Sequence, residues 1–278
     1  MRLVICLCLL SLSPPSFAGD FDRHFAVVFA DEDTTAKYGP VPLDRRLIAR
    51  SIDALADAGA KGIVLKFFLD RARDEQGDQK LANALAGLPV ILQARIDDAE
   101  PSPNSLPARF TIPLQADTSI SGHSGWIPVP RFSNNAHDIC FADYPDFDLP
   151  AAYLPLLETY RGKTVKSLLL CTIELAIGSK AVIVTGEHVQ IGDISYELDN
   201  QNRLPVTLDA KPALAYIPLH DILENNAWAG RVAGKVVILG YDGPQIHRIQ
   251  TGLGGIAAHR YYVYLLHELL DDDTRDYP

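Results

Sequence analysis

Mostly apolar runs alternate with amphipathic segments in the first half of the chain. Phe25–Ala30, Gly62–Leu69 and Leu88–Ile96 are runs of strand length, typical of strands that are buried on both faces of a sheet. Between them, the spacing of apolar residues predicts helices at Leu43–Ala58 and Asp78–Ala86, each followed by a glycine. This alternation predicts right-handed βαβ units around a mostly parallel sheet.

The second half of the chain has a less regular pattern. Segment 97–130 is rich in Pro, Ser and Asp and lacks a period, which predicts a long excursion without packed elements. The remaining pattern predicts, in chain order, a helix at Leu154–Ile177, a strand at Ala181–Thr185, an antiparallel ribbon of His188–Leu198 and Leu204–Leu208 turned at 199–202, a helix at Ile217–Ala229, a strand at Lys235–Leu239 and a helix at Gly255–Leu270. The predicted fold is α/β, a mostly parallel central sheet with flanking helices and an inserted antiparallel ribbon.

The first residues of the chain have the pattern of a targeting segment. Arg2 precedes an apolar run at Leu3–Leu12, and a small-x-small triplet ends at Ala18, as in a secretory signal peptide. We therefore predict a signal peptide at 1–18, a single domain at 19–270 and an acidic tail at 271–278. The expected product is exported, periplasmic or secreted, and soluble after cleavage of the signal peptide.

Composition narrows the possible partners. Of 278 residues, 47% are hydrophobic and 22% are charged, so the chain can bury enough apolar surface to fold as a globular protein. Lys and Arg number 25 against 35 Asp and Glu, which gives a net charge of −10. A basic surface that could neutralise phosphates is missing, and this excludes a nucleic-acid partner of that kind.

The cysteines and histidines of the predicted mature chain leave two alternatives open. Cys140 and Cys171 can pair in an oxidising compartment, or Cys171 can be a buried thiol within its apolar run. His247 and His259 lack an identifiable third metal ligand, and His259 is expected to be a hydrogen-bonded core or cap histidine. The sequence therefore predicts neither a metal site nor a cofactor.

One acidic motif follows the first apolar run. The segment 31–35 reads Asp-Glu-Asp-Thr-Thr, the D-x-D-x-T pattern of haloacid-dehalogenase-like phosphohydrolases, in which Asp31 and Asp33 would act with magnesium. That mechanism also needs a Lys and a distal acidic pair, and Tyr241-Asp242 supplies only half of such a pair. The alternative is that these acids cap a loop and the following helix.

Six fragments resemble, in order, the second type of CHASE domain, an extracellular sensory module associated with cyclases and histidine kinases. They are Val27–Thr34, Pro40–Arg45, Ala58–Leu69, Asp78, Gly234–Gly240, and Thr251-Gly252 with Gly255–His259. The chain departs from the family pattern at Lys66, where Asp is usual, and at Arg260, where a small residue is usual. Both tryptophans of the family's Pro-rich segment are also missing.

The resemblance implies an exported, non-catalytic sensory module with an unknown small-molecule ligand and a separate membrane-bound signalling partner. Ligands of open parallel sheets collect at the carboxyl ends of the strands. If the three strands concerned are neighbours, this edge gathers a polar rim of Asp31, Asp33, Lys66, Tyr241, Asp242 and His247. The phosphohydrolase is the alternative function, and a structural interaction domain whose pocket has decayed, as the Lys66 replacement suggests, is a second alternative.

Overall fold

A computed structural model describes residues 20–144, 151–208 and 210–270. The predicted signal peptide and the predicted acidic tail lie outside the described residues. The helices are α1 Asp20–His24, α2 Glu32–Tyr38, α3 Arg45–Asp57, α4 Glu75–Leu85, α5 Pro130–Ser133, α6 Leu168–Ile177, α7 Leu219–Glu224, α8 Ala229–Val232 and α9 Ala258–Leu270, with a 3-10 turn at Ala108–Phe110. The strands are β1 Phe25–Ala30, β2 Gly62–Leu65, β3 Val90–Ala94, β4 Thr111–Ile112, β5 Ser121–Gly122, β6 Asp138–Phe141, β7 Ala151–Pro155, β8 Leu157–Tyr160, β9 Lys163–Lys166, β10 Val182–Val184, β11 His188–Ile191, β12 Ile194–Glu197, β13 Arg203–Thr207, β14 Ile217–Pro218, β15 Val236–Tyr241, β16 Arg248–Ile249 and β17 Ile256–Ala257.

The centre of the fold is a six-stranded parallel sheet in the order β14-β1-β15-β2-β3-β6. Every residue of β1, β2, β3 and β15 is buried, which explains their nearly continuous apolar sequences. The α/β prediction with a mostly parallel sheet is therefore confirmed. Small sheets complete the molecule. The sheets β10-β11-β12, β13-β7 and β16-β17 are antiparallel, and the sheet β4-β9-β8-β5 is mixed, because β5 pairs with β8 in parallel.

Two helical layers cover the two faces of the sheet. Helices α3 and α4 pack on one face, where Ile48, Ile52 and Leu55 of α3 are buried. Helices α6 and α9 cover the other face. Helix α3 begins after the N-cap Asp44, whose carboxylate accepts a hydrogen bond from the backbone N–H of Arg46. No helix among the described residues is long and apolar enough to cross a bilayer.

The prediction of one long helix at Leu154–Ile177 is wrong. Strands β8 and β9 form a hairpin there, and its two-residue turn at Arg161-Gly162 has positive φ angles at both positions. Two such residues are typical of the turns that match the twist of a hairpin. Helix α6 begins only after the N-cap Ser167, and its C-cap is Gly178, which adopts the left-handed conformation.

Two other predicted elements, a ribbon and a helix, differ from those in the structure. β11 and β12 form their own hairpin around Gly192, whereas β13 pairs with β7 rather than with the preceding segment. The predicted ribbon therefore has the wrong partner strand, because the contact with β7 joins residues that are distant in sequence. The predicted helix Ile217–Ala229 is also wrong, since Pro218 ends strand β14 and two short helices, α7 and α8, follow it.

Segment 97–130 is mostly irregular, as predicted, but it contains the 3-10 turn and the short strands β4 and β5. Strand β6, which the hydrophobic pattern did not predict, forms one edge of the central sheet. Cys140 of β6 and Cys171 of α6 form a disulfide. This bond connects an edge strand to the helix that covers it.

Candidate functional site

A cavity of about 790 Å³ lies at the carboxyl edge of the central sheet. It opens beside the ends of β15, β2 and β3. The chain leaves β2 toward α4 on one face of the sheet and leaves β15 toward α9 on the other face. A crevice forms where neighbouring connections diverge in this way, and parallel sheets commonly bind ligands there.

Lys66 follows the last residue of β2 and lies inside this crevice. Its side chain is only 3% exposed, and its ammonium nitrogen lies 4.2 Å from the ring centre of Tyr262 and 5.4 Å from that of Tyr144. Among the described residues, no side chain forms a hydrogen bond or ion pair with this nitrogen. Burial lowers the pKa of the Lys66 amine to about 7, because a charged group loses its hydration inside the protein.

Gly240 of β15 makes room for Lys66 and for the imidazole of His259. A Cβ atom at Gly240 would lie 2.8 Å from His259 Nδ1 and 3.4 Å from Lys66 Cβ. His259 Nδ1 accepts a hydrogen bond of 2.9 Å from the backbone N–H of Tyr241, so a neutral ring carries its proton on Nε2. Burial and the nearby Lys66 charge hold the pKa of His259 well below its ordinary value.

Gln93 and Tyr144 add two more polar groups to the same cavity. Leu65 pairs with Leu92, so the next positions of the two strands place Lys66 and Gln93 side by side. Gln93 is 2% exposed, and its amide has no hydrogen-bond partner among the described residues. The hydroxyl of Tyr144 is likewise buried without a hydrogen-bond partner. We call Lys66, Gln93, Tyr144 and His259 the donor cluster.

The other cations that line the cavity are held by the protein itself. Arg45 forms an ion pair of 3.5 Å with Asp78, and Arg95, at the exposed rim, forms one of 3.5 Å with Asp143. Arg73 donates to the backbone carbonyls of residues 42 and 43. Lys66 therefore differs from the arginines around it, because the described part of the chain gives it no oxygen acceptor.

A comparison with protein-family models assigns nearly the whole chain to one family. A family model described as the CHASE2 domain matches residues 8–271. The chain belongs to the CHASE2 domain family. This match confirms the resemblance drawn from the sequence and supports a role as a sensory module. No curated protein and no solved structure matched the chain significantly.

The CHASE2 domain places only some of the predicted site residues in the cavity. Strands β1, β15 and β2 are neighbours, as the prediction required. Lys66, Tyr241 and His247 line the cavity, with His247 at its exposed rim. Asp31 and Asp242 lie outside the cavity lining, and Asp33 is exposed on the first turn of α2.

Asp31 and Asp242 belong to a second polar group, at the ends of β1 and β15. Asp31 accepts hydrogen bonds from Thr34, at 2.9 Å from the backbone nitrogen and 2.8 Å from the hydroxyl, and from the Tyr216 hydroxyl at 3.3 Å. Asp242 accepts from Arg260 Nε at 2.7 Å, and the Arg260 guanidinium lies 5.7 Å from the Tyr216 ring centre. We call Asp31, Tyr216, Asp242 and Arg260 the paired cluster.

Part of the donor cluster has a signal in the sequence. Gln93 is a polar residue within the apolar run Val-Ile-Leu-Gln-Ala of a strand buried throughout, and such an exception marks either a partner or a site. Tyr144 had no comparable signal, because it follows β6, which was not predicted. The hydrogen bond expected for His259 is present, but only the structure shows that its ring borders the cavity.

Proposed function

We propose that this CHASE2 domain is an exported sensory module that binds a small-molecule ligand in the cavity and catalyses no reaction itself. The observation that carries this proposal is the cavity at the divergence of β2 and β15, whose wall contains buried polar groups without hydrogen-bond partners among the described residues. Three features support export: the predicted signal peptide, the extracellular role of the family, and the disulfide between Cys140 and Cys171.

We further propose that the bound state is passed to a separate membrane signalling protein. The association of the family with cyclases and histidine kinases supports this partner. Helix α9 offers a physical route, because it carries His259 at the cavity and His267 two turns later. The His267 ring stacks on Phe21 of α1 at 5.2 Å between centres. A ligand that displaces His259 would therefore act on the packing of α9 against α1.

The geometry does not favour the alternative phosphohydrolase. The carboxylate of Asp31 caps α2, and the side chain of Asp33 is exposed on that helix. Within residues 20–144, 151–208 and 210–270, the two acids do not form a three-ligand group that could hold a metal. The expectation that they cap the helix explains both positions.

A ligand screen with a blocked cavity tests the proposed function. Small metabolites and divalent metal ions are screened by thermal shift on the wild type, on Ala142→Phe and on Ala99→Phe. Ala142 lines the cavity, whereas Ala99 is exposed outside its lining and provides the matched control. A cavity ligand at 100 times its Kd stabilises the wild type and Ala99→Phe by about 2.7 kcal/mol and leaves Ala142→Phe unchanged.

The same samples test the alternatives. Turnover of phosphoester substrates that is abolished by Asp31→Asn would replace the sensor with the phosphohydrolase. Protection that persists in Ala142→Phe would place the ligand elsewhere on the protein. If no compound protects the wild type, the result contradicts a small-molecule sensor and favours an interaction domain whose pocket has decayed.

A further inference from the structure

The members of the donor cluster offer more hydrogen-bond donors than acceptors. Lys66 offers three N–H donors and no acceptor, Gln93 offers two N–H donors beside its carbonyl oxygen, and Tyr144 offers its buried hydroxyl. His259 adds Nε2–H, because its Nδ1 is occupied by the backbone N–H of Tyr241. None of the described residues accepts a hydrogen bond from the side chains of Lys66, Gln93 or Tyr144. The missing group is therefore an acceptor.

The charge of the cluster specifies the acceptor further. The chain carries a net charge of −10 and has 35 carboxylates, yet none of the described ones pairs with Lys66. A buried ammonium without a counter-ion is costly, and among the described residues only the faces of two tyrosine rings compensate it. An anion that enters the cavity would supply both the counter-charge and the acceptor atoms.

The rest of the lining limits the anion to an organic one. Ile48, Phe67 and Ile246 form apolar parts of the wall, and Trp126 lies at the rim. The volume of about 790 Å³ exceeds what a bare inorganic ion fills and lies within the range of small-molecule sites. The ligand is thus expected to combine an anionic end with an apolar body.

The number of unpaired buried charges separates a carboxylate from a phosphate. A carboxylate carries one negative charge, which the ammonium of Lys66 neutralises. A phosphate monoester carries between 1.5 and 2 negative charges at about pH 7 and would leave part of its charge buried without a partner. The arginines of the lining already have protein partners, since Arg45 and Arg95 form ion pairs with carboxylates and Arg73 donates to a backbone carbonyl.

We propose that the cavity binds a small organic carboxylate, with its carboxylate group at Lys66, Gln93 and Tyr144 and its apolar body against Phe67 and Ile246. This inference rests on the proposed function, since it names the ligand class of the same cavity. It also gives Lys66, which departs from the family pattern, a role as the counter-ion of the ligand.

Matched probes of different charge test the ligand class. Acetate, benzoate and 3-phenylpropanoate are titrated against the wild type by calorimetry, alongside benzamide, 3-phenylpropanamide, phenyl phosphate and inorganic phosphate. The wild type is expected to bind 3-phenylpropanoate at least tenfold more tightly than its amide and more tightly than either phosphate. Acetate is expected to bind most weakly, because it has almost no apolar body.

Two variants test the residues. Lys66→Met removes the charge at similar length and is expected to lose at least tenfold in affinity for the carboxylates, while Lys80→Met on the exposed face of α4 retains wild-type affinity. Gln93→Leu is expected to lose a smaller factor, about threefold to tenfold. Circular dichroism establishes that each variant is folded before its affinity is compared.

Proton uptake provides a second readout. Above pH 7, binding of a carboxylate is expected to draw a proton onto the Lys66 amine, so the observed binding enthalpy should depend on the ionisation enthalpy of the buffer. This dependence should disappear in Lys66→Met.

The outcomes separate the two proposals. Equal binding of acid and amide, or full affinity in Lys66→Met, overturns the carboxylate proposal, as does a preference for phenyl phosphate. If none of these probes binds, the carboxylate proposal fails, while a neutral or cationic compound that protects the wild type but not Ala142→Phe preserves the proposed function.

Discussion

The donor cluster and the paired cluster occupy the same edge of the same sheet, yet they differ in whether their polar groups have partners within the protein. In the paired cluster, Asp31 and Asp242 each have protein donors within hydrogen-bond distance. In the donor cluster, Lys66 and Gln93 have no such partner among the described residues. The difference shows where the molecule satisfies its polar groups internally and where it leaves them for a ligand.

This contrast has an energetic meaning. A buried polar group that is satisfied contributes to a unique packing, whereas an unsatisfied one lowers the free energy of unfolding. A residue that lowers stability in this way is retained where it is needed for binding, even though the protein would be more stable without it. Substitutions in the two clusters should therefore change stability in opposite directions.

Lys66→Met has the largest expected effect. A pKa of about 7 in place of 10.5 corresponds to a loss of stability on the order of 5 kcal/mol at pH 7. The variant is therefore expected to be more stable than the wild type at pH 7 by several kcal/mol, as measured by urea unfolding.

The pH dependence of this difference identifies its cause. Between about pH 7 and pH 10.5 the unfolded chain keeps the Lys66 proton and the folded chain releases it, so Lys66 makes wild-type stability rise with pH by at most about 1.4 kcal/mol per unit. The advantage of Lys66→Met should shrink over this window, and Lys80→Met should follow the wild type. A constant advantage from pH 7 to pH 10 would attribute the gain to packing.

Arg260→Met is the corresponding substitution in the paired cluster, and its effect should have the opposite sign. It removes the partner of Asp242, whose side chain is only 14% exposed, and is expected to lower the free energy of unfolding by about 1–2 kcal/mol. Affinity for the cavity probes should remain that of the wild type. The double variant Arg260→Met with Asp242→Asn should recover part of the loss, and strict additivity would contradict the pairing.

Asp31→Ala has the smallest expected effect of the three. It removes the cap of α2 and should cost about 1 kcal/mol, while Asp33→Ala, on the exposed first turn, should cost less. Although burial opposes it, hydrogen bonds from Thr34 and the nearby His220 ring hold the pKa of Asp31 below its usual value. Its contribution to stability is therefore present above pH 4 and is lost as the pH falls through its folded pKa.

Acid titration of the unfolding free energy measures this contribution. The wild type should lose more stability than Asp31→Ala as the pH falls below 4. Parallel curves for the two proteins would show that the capping hydrogen bonds of Asp31 contribute nothing measurable.

The candidate site was only partly predictable from the sequence. Lys66 and Tyr241 follow or end apolar runs, so their place at the carboxyl edge followed from the α/β pattern, and His247 followed from the same reasoning. The sequence predicts Asp31 at the same rim because it follows the first buried strand, but its carboxylate caps α2. Strand order locates a residue along the edge, whereas hydrogen bonding decides whether its side chain faces the cavity.

The sequence by itself determined the parallel core, the first helical layer and the family. Strands buried on both faces must be largely apolar, and a helix on a sheet must have an apolar stripe, so the local pattern of apolar residues predicts these elements. Motif order supplied the CHASE2 assignment, which the family match confirms.

Only the tertiary structure decided the partners. The pairing of β13 with β7, the hairpin of β8 and β9, and the placement of Gln93 beside Lys66 depend on contacts between segments or on register. The alternation of apolar and polar residues in a strand is the same whichever strand lies next to it. It therefore does not show which charged residues will lie close together. For that reason the sequence could place Lys66 at the edge of the sheet, but only the fold shows that its ammonium is buried and that no described carboxylate pairs with it.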